Sequence, residues 1–155
     1  MHKQCDTKQL SFQGLGRRIL GAEFDGGTMT SDAGGLLLRE IDLQNGVLDL
    51  FAMCFDDYRD QRDVHHSVRP MVAQQIFGLC FGYEDINDHK QLRCDRLFTT
   101  LCEQADVEGK RQLRSENLGK ALAGKSTLNR LETAGTGISA ENRYKKFIYD
   151  EQRIA

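Results

Sequence analysis

The strongest rhythm in the chain runs from His66 to Tyr83, where Val68, Met71, Val72, Gln75, Ile76, Leu79, Cys80 and Tyr83 recur at three- and four-residue spacing. That spacing predicts an α-helix with one apolar stripe, and Pro70 falls near its start, where a helix tolerates proline. A second helix is predicted within TSDAGGLLLREID, with Thr30 or Ser31 as cap, Asp32 in the first turn and Leu37, Leu38 and Ile41 as the apolar stripe. Asn45-Gly46 supplies its stop. VLDLFAMCF (47–55) is apolar on most sides and predicts a short buried helix, followed by the charged connector DDYRDQRD (56–63).

Asn87 or Asp88 can cap a further helix carrying Leu92, Leu97, Phe98 and Leu101, after which the pattern fades into a polar loop over 107–117. ALAGKSTLNRLE (121–132) returns to helical spacing with Leu128 and Leu131 facing inward. The last stretch, SAENRYKKFIYDEQRIA, predicts an amphipathic helix with Tyr144, Phe147 and Ile148 on one side. RRILGAEF (17–24) has the imperfect alternation of a short strand, with DGG as the turn after it. The expected fold is mainly α with one or two short N-terminal strands, a helical bundle-like region forming a single domain.

Composition narrows the class without naming a function. With 39% hydrophobic and 28% charged residues over 155 positions, the chain falls in the globular range. Its longest apolar run, MVAQQIFGLCFGY, is too short and too polar to span a bilayer, and MHKQCDTKQLS lacks the apolar core of a secretion signal. Five widely spaced cysteines predict reduced, mostly buried thiols and a cytoplasmic protein. The net charge of −2 hides an asymmetry: residues 40–63 carry seven acids against two bases, while 109–131 carry six bases against one acid. Such a chain can turn a basic face to an anionic polymer despite its acidic balance.

Residues 119–126, GKALAGKS, satisfy the spelling of a phosphate-binding loop. A working phosphate loop joins a buried strand to a helix N-terminus, so that backbone amides converge on phosphate. EGKRQLRSENL, which precedes it, cannot form such a strand, and no nucleotide is expected. The same residues parse better as a helix-turn-helix near 118–133: ALAG ends one helix, Gly124 bends, Ser126 or Thr127 caps the next. Lys125, Ser126, Thr127, Asn129 and Arg130 would then open the second helix with groups suited to phosphate and base edges, and Lys120 would add a phosphate contact. Cys80, His89, Cys94 and Cys102 lack metal-site spacing, and core thiols with a surface histidine account for them. Asp25 and Asp32 could hold a divalent ion in a small nuclease, although turn formation and capping explain both.

Four ordered blocks resemble a family of bacterial insertion-sequence transposases, the group-1 DDE-domain family with TTAA-type cut-and-paste relatives. They are FDGGTMTSDAGGLLLREID (24–42), DYRDQRDVHHS (57–67), IFGLCFGYEDINDHKQLRCD (76–95) and ALAGKSTLNRLE (121–132). Gln61, Arg96 and Gly124-Lys125-Ser126 depart from the family pattern, and the last departure creates the phosphate-loop spelling at a helix boundary. The resemblance implies DNA transposition by two Mg²⁺ ions on an RNase H-like core, whose first aspartate lies on a strand downstream of these blocks. It therefore implies no catalytic role for Asp25 or Asp32, and no cofactor for this segment by itself. What it does imply is a helical N-terminal region binding double-stranded transposon-end DNA, with room for a homodimer, nucleoid association and no membrane. A truncated transposase, or a remnant exposing apolar surface, is the corresponding expectation for the chain as written.

Overall fold

The computed structural model describes residues 9–23, 30–112, 115–135 and 146–153. An antiparallel ladder comes first, β1 (Leu10–Leu15) against β2 (Arg18–Ala22), with Leu10 opposite Ala22 and Phe12 opposite Leu20. Helices α1 (Gly35–Asn45) and α2 (Val47–Ala52) meet at Gly46, the predicted stop. Then come β3 (Phe55–Asp57), α3 (Val68–Cys80), α4 (His89–Leu92), α5 (Arg96–Leu101) and α6 (Lys125–Glu132). The last strand, β4 (Phe147–Tyr149), pairs antiparallel with β3. The described residues thus form a mixed α/β arrangement of six helices and two small two-stranded sheets, more strand than the mainly α expectation allowed.

α3 is the axis of the core. It packs on α2, α5 and α6, and its Met71, Val72, Ala73 and Phe77 are buried with Phe98, Leu101, Leu122, Leu128 and Phe147. Each fully buried Leu, Met or Phe contributes about 1.5–3 kcal/mol relative to exposure, which is why this stripe was the clearest signal in the sequence. Val68, Met71, Val72 and Ile76 of the predicted stripe are in or against the core, but the buried glutamine is Gln74, while Gln75 reaches Glu132 at 2.8 Å on the surface and Leu79 and Cys80 are exposed.

α1 departs further. Leu37, Leu38 and Ile41 are exposed, and the inward face is Gly35, Leu36, Arg39 and Asp42. Two causes act together. Gly35 lets Leu101 approach so closely that a Cβ would lie 2.6 Å from its Cδ1. The buried charges are satisfied, Arg39 by Glu103 and the carbonyls of Gln13 and Gly14, Asp42 by Arg69 at 2.8 Å and the Leu48 amide at 2.8 Å. Buried polar groups survive when paired in this way, and hydropathy alone misreads them. Thr30, Ser31 and Asp32 form a turn ahead of the helix, with Gly34 at the cap position.

Three other expectations are corrected. The helix expected after Asn87 is two, because the Asp95 carboxylate accepts from the Phe98 amide at 2.9 Å and starts a new helix there. The 47–55 helix ends at Ala52, leaving Phe55 to the β3 strand. Within the predicted C-terminal helix, 147–149 is a strand, its Phe147 buried against Arg59; Tyr144 lies outside the described residues. Of the described cysteines, Cys54 and Cys102 are buried while Cys80 and Cys94 are exposed, and His89 is buried, which corrects the expectation of mostly buried thiols with a surface histidine. Among the described residues no helix is long and apolar enough to cross a membrane.

Candidate nucleic-acid interface

Of the predicted contact residues, Lys125, Ser126, Thr127, Asn129 and Arg130 lie on α6 and Lys120 precedes it, without a helix-turn-helix. Residues 120–124 are not helical; Gly124 is extended (φ −83°, ψ 160°) and α6 starts at Lys125. Upstream, Ser115–Asn117 is a 3-10 turn where a phosphate loop would need a strand. Ser126 and Thr127 therefore lie inside the first turn of the helix instead of capping it.

The sequence builds this one helix by a sharp division of labour. Leu128 and Leu131 are buried, whereas Lys125, Ser126, Asn129 and Arg130 are exposed and Thr127 is half-buried. Thr127 and Leu128 both donate backbone hydrogen bonds to the Gly124 carbonyl, at 2.9 and 3.1 Å. Lys125 Nζ reaches Asn87 Oδ1 at 2.6 Å, and Lys120 Nζ donates to the Glu116 carbonyl. Both ammonium groups stay at the surface and can exchange these neutral acceptors for phosphate. The positive end of the helix dipole adds to them.

A polar strut supports the residues that lead into α6. Gln74 exchanges two hydrogen bonds with the Ala123 backbone, both 3.1 Å, and its Nε2 also faces His89 Nδ1 at 3.1 Å. Arg93 packs over Gly124, reaches Asn117 Oδ1 at 3.3 Å, and accepts the Leu122 amide on its own carbonyl. Gln74 lies outside the apolar stripe that the spacing predicts, so hydrophobic period carries no trace of this device.

Arg59 closes the neighbouring corner. It makes a bidentate pair with Asp57 at 2.8 and 2.6 Å, donates to the His66 carbonyl at 2.7 Å and stacks 4.5 Å from the Phe147 ring centre. His66 sits half-buried there, and desolvation with the charges of Arg93, His65 and Arg59 pushes its pKa down to about 4. It is uncharged at neutral pH.

The nuclease carboxylates find no such convergence. Asp32 is engaged by Ser31 at 3.0 Å and by the Tyr83 hydroxyl at 2.9 Å, and Asp25 lies outside the described residues. Among the described residues no group of three or more His, Cys, Asp or Glu could hold a metal ion, which covers Cys80, His89, Cys94 and Cys102.

A family model described as transposase DDE domain, group 1, matches residues 12–151. The chain belongs to that family. No curated protein and no solved structure matches it. In a DDE transposase the two-metal chemistry requires converging carboxylates. The described residues of this transposase-family chain do not fit a metal pair. What they do present is the exposed face of α6.

Proposed function

We propose that this transposase-family chain serves DNA transposition by binding double-stranded transposon-end DNA through α6. The observation that carries the reading is the exposed row Lys125, Ser126, Asn129 and Arg130 on a helix whose other side is locked into the core by Leu128 and Leu131. Lys120, Lys125 and Arg130 position phosphates, while Ser126, Thr127 and Asn129 meet phosphate or base edges. A rigid helix projecting from a core holds such contacts in register better than a loop does.

The finer parts of the reading rest on the resemblance. They are a bacterial, TTAA-type insertion-sequence element, Mg²⁺ chemistry on acids supplied outside the described residues, a homodimer, and a nucleoid-associated cytoplasmic protein.

A salt titration of duplex binding tests the α6 assignment. Each phosphate contact contributes about 0.9 to the slope of log affinity against log salt. Lys125→Ala combined with Arg130→Ala should weaken binding and flatten that slope by about two. An unchanged affinity and slope would remove α6 from the interface.

A further inference from the structure

The β1–β2 hairpin carries a feature that α6 does not use. Ile19 is 94% exposed, the most exposed large apolar side chain among the described residues. Arg17 and Arg18, both exposed, precede it at the turn. Alternation along β2 puts Arg18, Leu20 and Ala22 on one face and Ile19 on the other; Leu20 and Ala22 are half-buried, while the longer Arg18, across from Leu15, stays exposed. Ile19 is thus turned away from the body by the strand's own geometry.

The hairpin is not a loose arm. Arg39, 1% exposed, donates to the carbonyls of Gln13 and Gly14 at 2.7 and 3.3 Å, and the Gln13 amide donates to Glu40. At Gly14 the register shifts, and a Cβ would lie 2.7 Å from the Arg18 carbonyl oxygen. The bulge and the buried arginine fix the direction of the tip. Its charge setting is basic as well. The Arg18 guanidinium is close enough to help hold Glu108 ionised, and Glu108 is already paired with Lys110 and Arg96. The same loop backs onto the segment leading to α6, where the Gly119 amide donates to the Gly109 carbonyl at 3.1 Å.

Two exposed arginines beside an outward isoleucine on an anchored two-stranded ribbon match the chemistry of a minor-groove wedge. In that arrangement cations meet phosphates while an apolar side chain parts a base step. We propose that the hairpin is a second duplex-DNA contact, with Arg17 and Arg18 on the phosphates flanking a step and Ile19 entering it. Local bending of the duplex follows from the wedge. The inference rests on the reading of the chain as a DNA binder, but not on α6 being the other contact.

The test uses a short mixed-sequence duplex carrying 2-aminopurine, whose fluorescence rises when it unstacks. The chain should raise that fluorescence, and Ile19→Ala should abolish the rise while keeping most of the affinity. Arg17→Ala with Arg18→Ala should flatten the salt slope by about two. Thermal melts of these variants should match the parent, because the replaced side chains are solvent-exposed. A rise that survives Ile19→Ala, or a slope untouched by the arginine pair, overturns the hairpin contact. Run in parallel, the Lys125 and Arg130 variant reads α6 alone. Loss of slope there with none at the hairpin defeats only this inference, and a parent chain that binds no duplex defeats the DNA-binding reading itself.

Discussion

The side-chain amide of Gln74 and the backbone of Ala123 are joined in both directions: the Ala123 amide donates to Oε1 and Nε2 donates to the Ala123 carbonyl, each at 3.1 Å. Forty-nine positions apart, the two residues reproduce one rung of a β-ladder using a side chain for one partner. The rung ends immediately before Gly124, so it sets where α6 begins. It also fixes the chemistry of His89. With Nε2 committed as a donor, His89 Nδ1 must accept, and the imidazole carries its proton on the other nitrogen.

Replacing Gln74 by Leu should therefore be costly despite the better hydropathy. The Ala123 amide and carbonyl would be left unsatisfied inside the core, at about 1–3 kcal/mol for each group. We expect a loss of about 2–4 kcal/mol in chemical denaturation, with faster amide exchange over 122–127. A change below about 0.5 kcal/mol, as for an ordinary surface site, would show that the rung does not support the helix.

The phase of α1 can be tested in the same way. Leu36 is 7% exposed and Leu38 37% exposed. Leu36→Ala should destabilise by about 2–3 kcal/mol, whereas Leu38→Gln should stay within about 0.5 kcal/mol. The opposite ranking would mean that the helix is turned as its leucine pattern suggests.

α1 also shows why sequence reading succeeded in some places and failed in others. Hydrophobic period finds helices whose buried face is apolar, so α3 and the Leu128–Leu131 face of α6 were legible. In α1 two of the four inward positions are Arg39 and Asp42, whose partners lie on other elements: Glu103 and Arg69. Nothing local announces a remote partner. β1 was hidden by its bulge, which breaks the period of two between Phe12 and Leu15. β4 was hidden by length, since three residues cannot display a period, and its pairing with β3 was decided by tertiary contact. For the candidate interface, the exposed residues of α6 could be chosen from chemistry, but Gln74, Arg93 and Asn87 could not. Each reaches α6 or the residues just before it from a distant segment.

Acid should loosen the molecule around the same strut. His66 has its pKa pushed down to about 4 by burial and by the surrounding positive charges of Arg93, His65 and Arg59. Burial lowers the pKa of His89 as well, against a small opposing pull from Asp88. Both fall below the ordinary value of 6.5, so in mild acid the unfolded chain binds protons that the folded chain refuses. Stability is then complete above about pH 6.5 and declines as the pH falls, at no more than about 1.4 kcal/mol per pH unit for each histidine. For His66 the decline ends near pH 4, where the folded state also takes up its proton. Protonation of His89 at Nδ1 would in addition set two donors against each other and force Gln74 off Ala123. Denaturant midpoints measured from about pH 7 to pH 5, above the ordinary carboxylate range, should fall with acidification. His66→Gln should make that fall shallower while leaving part of it, the part belonging to His89. A midpoint that rises toward pH 5, or one unaffected by His66→Gln, would mean that these imidazoles are not held neutral by the fold.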